Sequence, residues 1–344
     1  MTDTGQGKLI ISSEDADAGG VDGGIEDADG AELELREARV PLESHGERLD
    51  LALTRMVPEF SRSYLQQLVT AGGVMLNGVP ALKSSARVKA SDLFRIELRP
   101  TAQSQAFKPD AMALEVVFED DYLLVVNKPA GLVVHPAPGN WRGTLLNGLL
   151  ARDPRMAALP RAGIVHRLDK DTSGLMVVAR QRSVMDRLVE MIAARSVSRQ
   201  YLALAQGTWK GAKTQRVELP VGRDVKNRLR MAVVNLDRNP GKSASTDITL
   251  LDQVAGYCLV QCRLDTGRTH QIRVHMSAKG HPLVSDALYG GTPITGLSRQ
   301  ALHAYRLAFE HPAGGKYLQF TSDLPPDMVT AINSLGLRYN EQGR

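Results

Sequence analysis

Residues 163–180 read GIVHRLDKDTSGLMVVAR. Leu175–Ala179 is an unbroken apolar run of strand length, the pattern of a strand covered on both faces. Ile164 and Val165 lead in, and between the two apolar pieces stand His166, Arg167, Asp169, Lys170, Asp171, Thr172, Ser173 and Gly174. A connection between buried strands needs only turn residues, so this polar centre asks for a second purpose. Asp169 admits three readings: a turn carboxylate bonding nearby backbone N–H groups, one half of a magnesium site with Asp171, or a catalytic carboxylate. The magnesium pattern wants a hydrophobic strand directly before its first Asp, where this chain has His166, Arg167 and Leu168. The flanking cations Arg167 and Lys170 also oppose a metal, while they favour an ionised carboxylate or a phosphate.

Working outward, the 344 residues suffice for a sizeable core and more than one domain. No apolar run approaches the ~20 residues of a membrane span. The amino terminus is acidic and Gly-rich, with no signal peptide expected, and a cytoplasmic location follows. Cys258 and Cys262 lie on one face of YCLVQCRL with Val260 and Leu264, and are read as small buried hydrophobes rather than metal or disulfide partners.

The net charge of +4 hides a division. Residues 1–34 hold ten acidic residues and one Lys, and the remainder holds 41 Lys/Arg against 28 Asp/Glu. A body that basic suggests a polyanion partner, because each phosphate contact releases counterions. The acidic stretch cannot bury enough apolar area to offset its ordering entropy, which predicts a disordered tail over 1–46.

From 47 to 98 a small module is expected. RLDLALTRMV has helical spacing, SRSYLQQLVTAGG starts at a Ser cap and ends in glycines, VMLNGVPAL reads as strand, Asn-Gly turn and strand, and RVKASDLFRIEL closes with another strand. Residues 99–112 read as a linker. From 113 to 344 strands and helices alternate irregularly, which predicts an α+β domain on a mixed, mainly antiparallel sheet. SVMDRLVEMIAAR carries Met185, Leu188, Val189 and Ile192 as a helical stripe.

Three more stretches carry chemistry. DTGRTHQIRVHMSAKGHP (265–282) predicts a Gly turn and a helix bearing Arg268, His270, Arg273, His275 and Lys279. Its polar residues alternate with Ile272, Val274 and Met276, so at least one cation must point inward, where it needs a carboxylate. The two histidines are five apart, which does not put them on one helical face as zinc ligands. SVSRQYLALAQG places Tyr201 at the head of an apolar strand after Arg199. GRDVKNRLRMAV gathers Arg223, Lys226, Arg228 and Arg230 around a turn, either as a solvated hairpin or as a phosphate grip.

HRLDKDTSGLMVVA, VVNKPAGLVVHPAPGN, RQYLALAQG, TGRTHQIRVHMSAKGHPLVSDALYGG and LHAYRLAFEHP, in this order, resemble the RluA-type family of pseudouridine synthases over roughly 113–328. The module at 47–98 resembles the S-four-like RNA-binding domain that precedes many such enzymes, and Arg62 is taken as one of its RNA contacts. The combination is similar to the members that act on 23S rRNA, in the loop of helix 69, which implies that RNA or a large-subunit precursor as partner. On the resemblance, Asp169 matches the essential aspartate and Arg273 the arginine paired with it. Tyr201 matches the tyrosine that stacks on the uracil and is implicated in taking the carbon-5 proton, and Arg167 the arginine that fills the gap left by the flipped base. Where the family often has Lys, this chain has Arg199. Arg223, Lys226, Arg228, Arg230 and Arg268 are expected at the RNA. The reaction is an isomerisation, so no cofactor and no metal are expected, and the protein is expected to act as a monomer. The alternatives are a synthase for another 23S site and a catalytically silent RNA-binding assembly factor; a metal-dependent phosphohydrolase is the third.

Overall fold

The structure is a computed structural model that describes residues 34–339, except 59, 61, 99–105, 138 and 228. The chain divides after residue 100 into two compact units.

The first unit runs β1 (Glu34–Arg39), α1 (Leu49–Met56), α2 (Arg62–Thr70), β2 (Val74–Leu76), β3 (Val79–Pro80) and β4 (Leu93–Leu98), with its strands in the order β1-β4-β2-β3. Asn77 and Gly78, both at positive φ, make the β2–β3 turn that the Asn-Gly pair predicts. Leu49, Leu53, Leu65, Val69, Phe94 and Ile96 form its core. One expectation is corrected: the tail over 1–46 is too long, because Glu34–Arg39 pairs in antiparallel register with β4. The acidic composition hid a strand that holds its place by backbone hydrogen bonds, with Leu35 left half exposed. Residues 1–33 of that tail, the Ser61 cap and the first half of the linker lie outside the described residues; from Ala106 on, the linker backbone accepts hydrogen bonds from Asn147 Nδ2.

The second unit runs β5 (Glu115–Glu119), β6 (Leu123–Lys128), α3 (Leu145–Arg152), β7 (Ser173–Ala179), α4 (Arg182–Ala193), β8 (Ser198–Gln206), β9 (Thr214–Val217), β10 (Val221–Arg223), β11 (Met231–Val233), β12 (Gly241–Lys242), β13 (Thr246–Val254), β14 (Tyr257–Leu264), α5 (Gln271–Ala278), β15 (Leu302–Glu310), β16 (Tyr317–Thr321) and α6 (Pro326–Ser334). The large sheet has the order β5-β6-β7-β15-β8-β14-β13-β9, and β10 to β12 form a small separate sheet. Among the described residues every pairing is antiparallel except β7 with β15, so the sheet is mixed and mainly antiparallel, as expected. β7 and β16 share one edge of β15, β7 along His303–Ala304 and β16 along Arg306–Glu310, while β8 takes the other.

All seven residues of β7 are buried. Met176 and Val178 enter the core shared with α3 and α5; Leu175, Val177 and Ala179 enter the one under α4. That two-sided burial is what the apolar run predicts. Gly174 shows why the motif ends in glycine: its φ is +115, and a Cβ there would lie 2.2 Å from the Ala304 carbonyl oxygen on β15. The α4 stripe is corrected at Val189. Val184, Leu188 and Met191 are buried in the core with Met185 and Ile192 packed against it, as three of the four stripe residues predict, while Val189 is 46% exposed and lines a cavity. Cys258 and Cys262 are buried free thiols on β14, and burial pushes the Cys258 thiol up to about 12. Among the described residues no helix is long and apolar enough to cross a membrane.

Candidate active site

The polar connection of residues 164–172 is held by its backbone. The buried Lys128 at the end of β6 gives its Nζ to the carbonyls of Pro129, Leu132 and Lys170, the last at 2.9 Å. Burial lowers that ammonium to about 8, with Asp171 and Asp169 pulling the other way. Arg299, bidentate to Asp327, gives Nη1 to the Asp171 carbonyl at 3.0 Å. The Thr172 N–H donates to the Asp169 carbonyl, Gln300 Nε2 donates to the buried Thr172 hydroxyl, and Ser173 Oγ bonds His303 Nδ1. With both carbonyls after Asp169 fixed by buried cations, the Asp169 side chain is presented from a rigid loop.

It faces a cavity of about 590 Å³ lined by Asp169, Tyr201, Arg273 and residues of the surrounding loops. Six arginines (161, 167, 195, 199, 268 and 273) line it against two aspartates, 169 and 265, so the cavity suits a polyanion. Arg273 Nη1 stands 3.2 Å from Asp169 Oδ2. The inward cation therefore meets the carboxylate that the sequence offered, but a second one holds it harder. Asp286, 2% exposed, accepts from Arg273 Nε at 2.7 Å and from Nη2 at 2.8 Å. Burial works against the arginine's charge, but Asp286 first and Asp169 second hold its proton more tightly than in a free arginine. The guanidinium carbon also sits 4.8 Å from the Tyr289 ring centroid.

Sequence reasoning missed Asp286, Tyr289 and the part played by His270. Tyr289 Oη accepts from the Met231 N–H at 2.9 Å and bonds His270 Nδ1 at 2.8 Å; His270 Nε2 lies 3.9 Å from Asp169 Oδ1. Burial lowers the His270 pKa, against the pull of Asp169. His270 is not on the helix as expected: it precedes α5 in the left-handed conformation (φ 57), and Arg268 and Lys279 lie outside α5 as well. That backbone turn aims the imidazole at the carboxylate. His275 is structural, bridging the Thr246 hydroxyl and the Leu219 carbonyl.

Tyr201, on β8, is 5% exposed and lines the same cavity, and burial pushes its phenol up to about 12, against the pull of Arg199. Arg167 and Arg268 line the mouth. The other expected RNA contacts lie elsewhere. Arg230 is bonded to Asp224 at 2.6 Å, and the Lys226 N–H caps the same carboxylate, in the loop between β10, which ends at Arg223, and β11. Arg228 lies outside the described residues. Arg62, in the first unit, is tied to the fully buried Asp50 with its side chain 46% exposed.

Residues 122–278 match the family described as RNA pseudouridylate synthase, and residues 47–94 match the S4 domain. Ribosomal large subunit pseudouridine synthase D of Neisseria meningitidis serogroup A is 45% identical over 311 residues, covering 87% of this chain and 81% of that one. The chain belongs to the RNA pseudouridylate synthase family. The protein of the same description from Xanthomonas campestris is 42% identical over 314 residues, covering 88% of this chain and 92% of that one. The fold of this pseudouridylate synthase is also that of human RNA Pseudouridylate Synthase Domain Containing 4, at TM-score 0.52 and 24% identity over 65% of this chain and 94% of that chain.

Proposed function

We propose that this enzyme converts uridine to pseudouridine in the RNA of the large ribosomal subunit, with the helix 69 loop of 23S rRNA as its target. It acts in the cytoplasm as a monomer, on the RNA or on a subunit precursor, and Asp169 is its catalytic carboxylate. The observation that carries the reading is the Asp169–Arg273 pair at 3.2 Å in a cation-lined cavity that Tyr201 also lines. The large-subunit substrate rests on what the similar proteins are called, and helix 69 on the motif resemblance.

The chemistry breaks the bond from uracil N1 to the ribose C1′, turns the base, and joins C5 to C1′. Asp169 attacks C1′ or removes the proton on C2′ to give a glycal; either route needs a carboxylate with a fixed counter-charge. Arg273, anchored on Asp286, supplies that charge without being drawn away. Tyr201 is a phenol at neutral pH, so its contribution is a flat face for the loosened uracil. Reaching a base in folded RNA costs a few kcal/mol of unstacking, roughly, which binding to the basic surface and the S4 domain offsets. The isomerisation itself consumes no cofactor. The cations around Asp169 suit an RNA phosphate better than a metal.

The test is pseudouridine mapping of 23S rRNA by carbodiimide-stop primer extension in cells lacking the enzyme. Helix 69 stops should vanish and return with the wild-type gene. Helix 69 stops that persist in the deletion strain would overturn the assigned target.

A further inference from the structure

Arg199 and His166 form a second polar group in the cavity, and the groups they leave without a partner among the described residues are all hydrogen-bond donors. Arg199 is 5% exposed, yet its Nε and Nη2 have no hydrogen-bond partner among the described residues, and no carboxylate pairs with it there. An arginine so buried normally brings its own acceptor. His166 Nε2 accepts the Val177 N–H at 3.0 Å, and burial, with the Arg199 charge behind it, keeps the ring neutral at pH 7. The ring proton therefore sits on Nδ1, which is buried and also without a partner among the described residues. Both side chains line the cavity that holds Asp169 and Tyr201. Arg199 and Tyr201 are two apart on β8, hence on one face of the strand.

We propose that Arg199, with His166 Nδ1, receives a carbonyl oxygen of the flipped uracil and stabilises the negative charge that the base acquires when its bond to the ribose breaks. This rests on the reading of the Asp169–Tyr201 cavity as the uracil site. In that step the C1′–N1 electron pair goes to the base, which spreads the charge over N1 and its carbonyl oxygens; by either route of Asp169 the base departs as an anion. A cation already paired to a carboxylate would have little to give it. Arg273 is in that position, and Arg199 is not. The backbone phosphates have other partners, the cations at the mouth, because the base enters first. Gly267 leaves the room for this guanidinium: a Cβ there would lie 2.8 Å from Arg199 Nη1.

The test uses the full-length enzyme and total RNA labelled with 5-tritiated uridine from cells lacking the enzyme, so that tritium release reports isomerisation at whichever uridine is the target. Under single turnover with saturating enzyme, Arg199→Met should slow release by about 100-fold, the usual loss for one preorganised donor. RNA affinity should stay within about twofold of wild type and the melting temperature should not fall, because an unpaired buried charge has been removed. Arg199→Lys should recover most of the rate. Gly267→Ala, which displaces the guanidinium without removing it, should cost about tenfold. A normal saturated rate with weaker binding and a smaller salt dependence would make Arg199 a phosphate contact and overturn the proposal. So would a lower melting temperature in both Arg199 variants with no rescue by Lys. Full tritium release by Asp169→Asn would instead remove the reading of the site on which the proposal rests.

Discussion

Asp286 holds Arg273 by two hydrogen bonds, at 2.7 and 2.8 Å from Nε and Nη2, while Nη1 faces Asp169 at 3.2 Å. The carboxylate proposed to do chemistry thus has the weaker grip on its own cation. This division lets Asp169 move against the ribose while Arg273 stays in place.

Asp286→Asn should therefore lower activity although Asp286 is not proposed to touch substrate. Breaking a buried pair on one side leaves the arginine with only its longer contact to Asp169, at a cost of about 3 kcal/mol or more. Thermal melting should show the loss, and single-turnover rates should fall while RNA affinity holds. A variant with wild-type rate and melting would remove Asp286 from the site's support.

Gly174→Ala should destabilise the second unit by about 2 kcal/mol or more, since the backbone is left-handed there and the new methyl would meet the Ala304 carbonyl. Denaturant titration measures this directly. Any unfolded fraction aside, the rate should also drop, because the shift displaces the strand that starts at the end of the loop carrying Asp169.

The position of Gly174 also marks how far the sequence could be read. The apolar run of β7, the Asn-Gly turn and an inward cation among residues 265–282 were legible, because burial on two faces, positive φ and apolar alternation each leave a local mark; Asp169, Tyr201 and Arg273 were singled out by the motif resemblance. Asp286 and Tyr289 left none: S-D-A-L-Y-G reads as an ordinary turn, and only the third dimension brings it beneath Arg273. β1 was hidden because E-L-R-E-A-R has no buried face and is held by pairing with β4. Arg199 looked like a simple exchange of one cation for another until its lack of an acceptor among the described residues set it apart. Arg62 looked free for RNA because nothing local links it to Asp50, twelve residues away.

Asp50 predicts the pH response of the first unit. Its side chain is fully buried and accepts from Arg48 at 3.0 Å, from Gln66 at 2.6 Å and from Arg62 at 2.9 Å. The Arg48 hydrogen bond first, with burial opposing and Gln66 and Arg62 adding, holds its carboxyl well below the usual range. The unfolded chain then takes up the proton first as pH falls. The stabilisation is complete above about pH 4 and is lost as pH drops toward the folded value. Hydrogen exchange of the α1 and α2 amides should show wild type more protected than Asp50→Asn at pH 7, with the gap closing toward pH 3. A gap independent of pH would contradict this.

Removing residues 1–98 should weaken rRNA binding more than it slows the conversion of bound RNA, because Asp169, Tyr201 and Arg273, the groups proposed to act, all lie in the second unit. Filter binding and single-turnover rates at saturation separate the two effects. Equal affinity in the truncated protein would deny the S4 domain its role.

The most direct measurement is single-turnover pseudouridine formation by purified Asp169→Asn on a helix 69 RNA, beside its binding affinity. Wild-type affinity with no detectable product is the predicted result. Substantial pseudouridine from that variant would contradict the account.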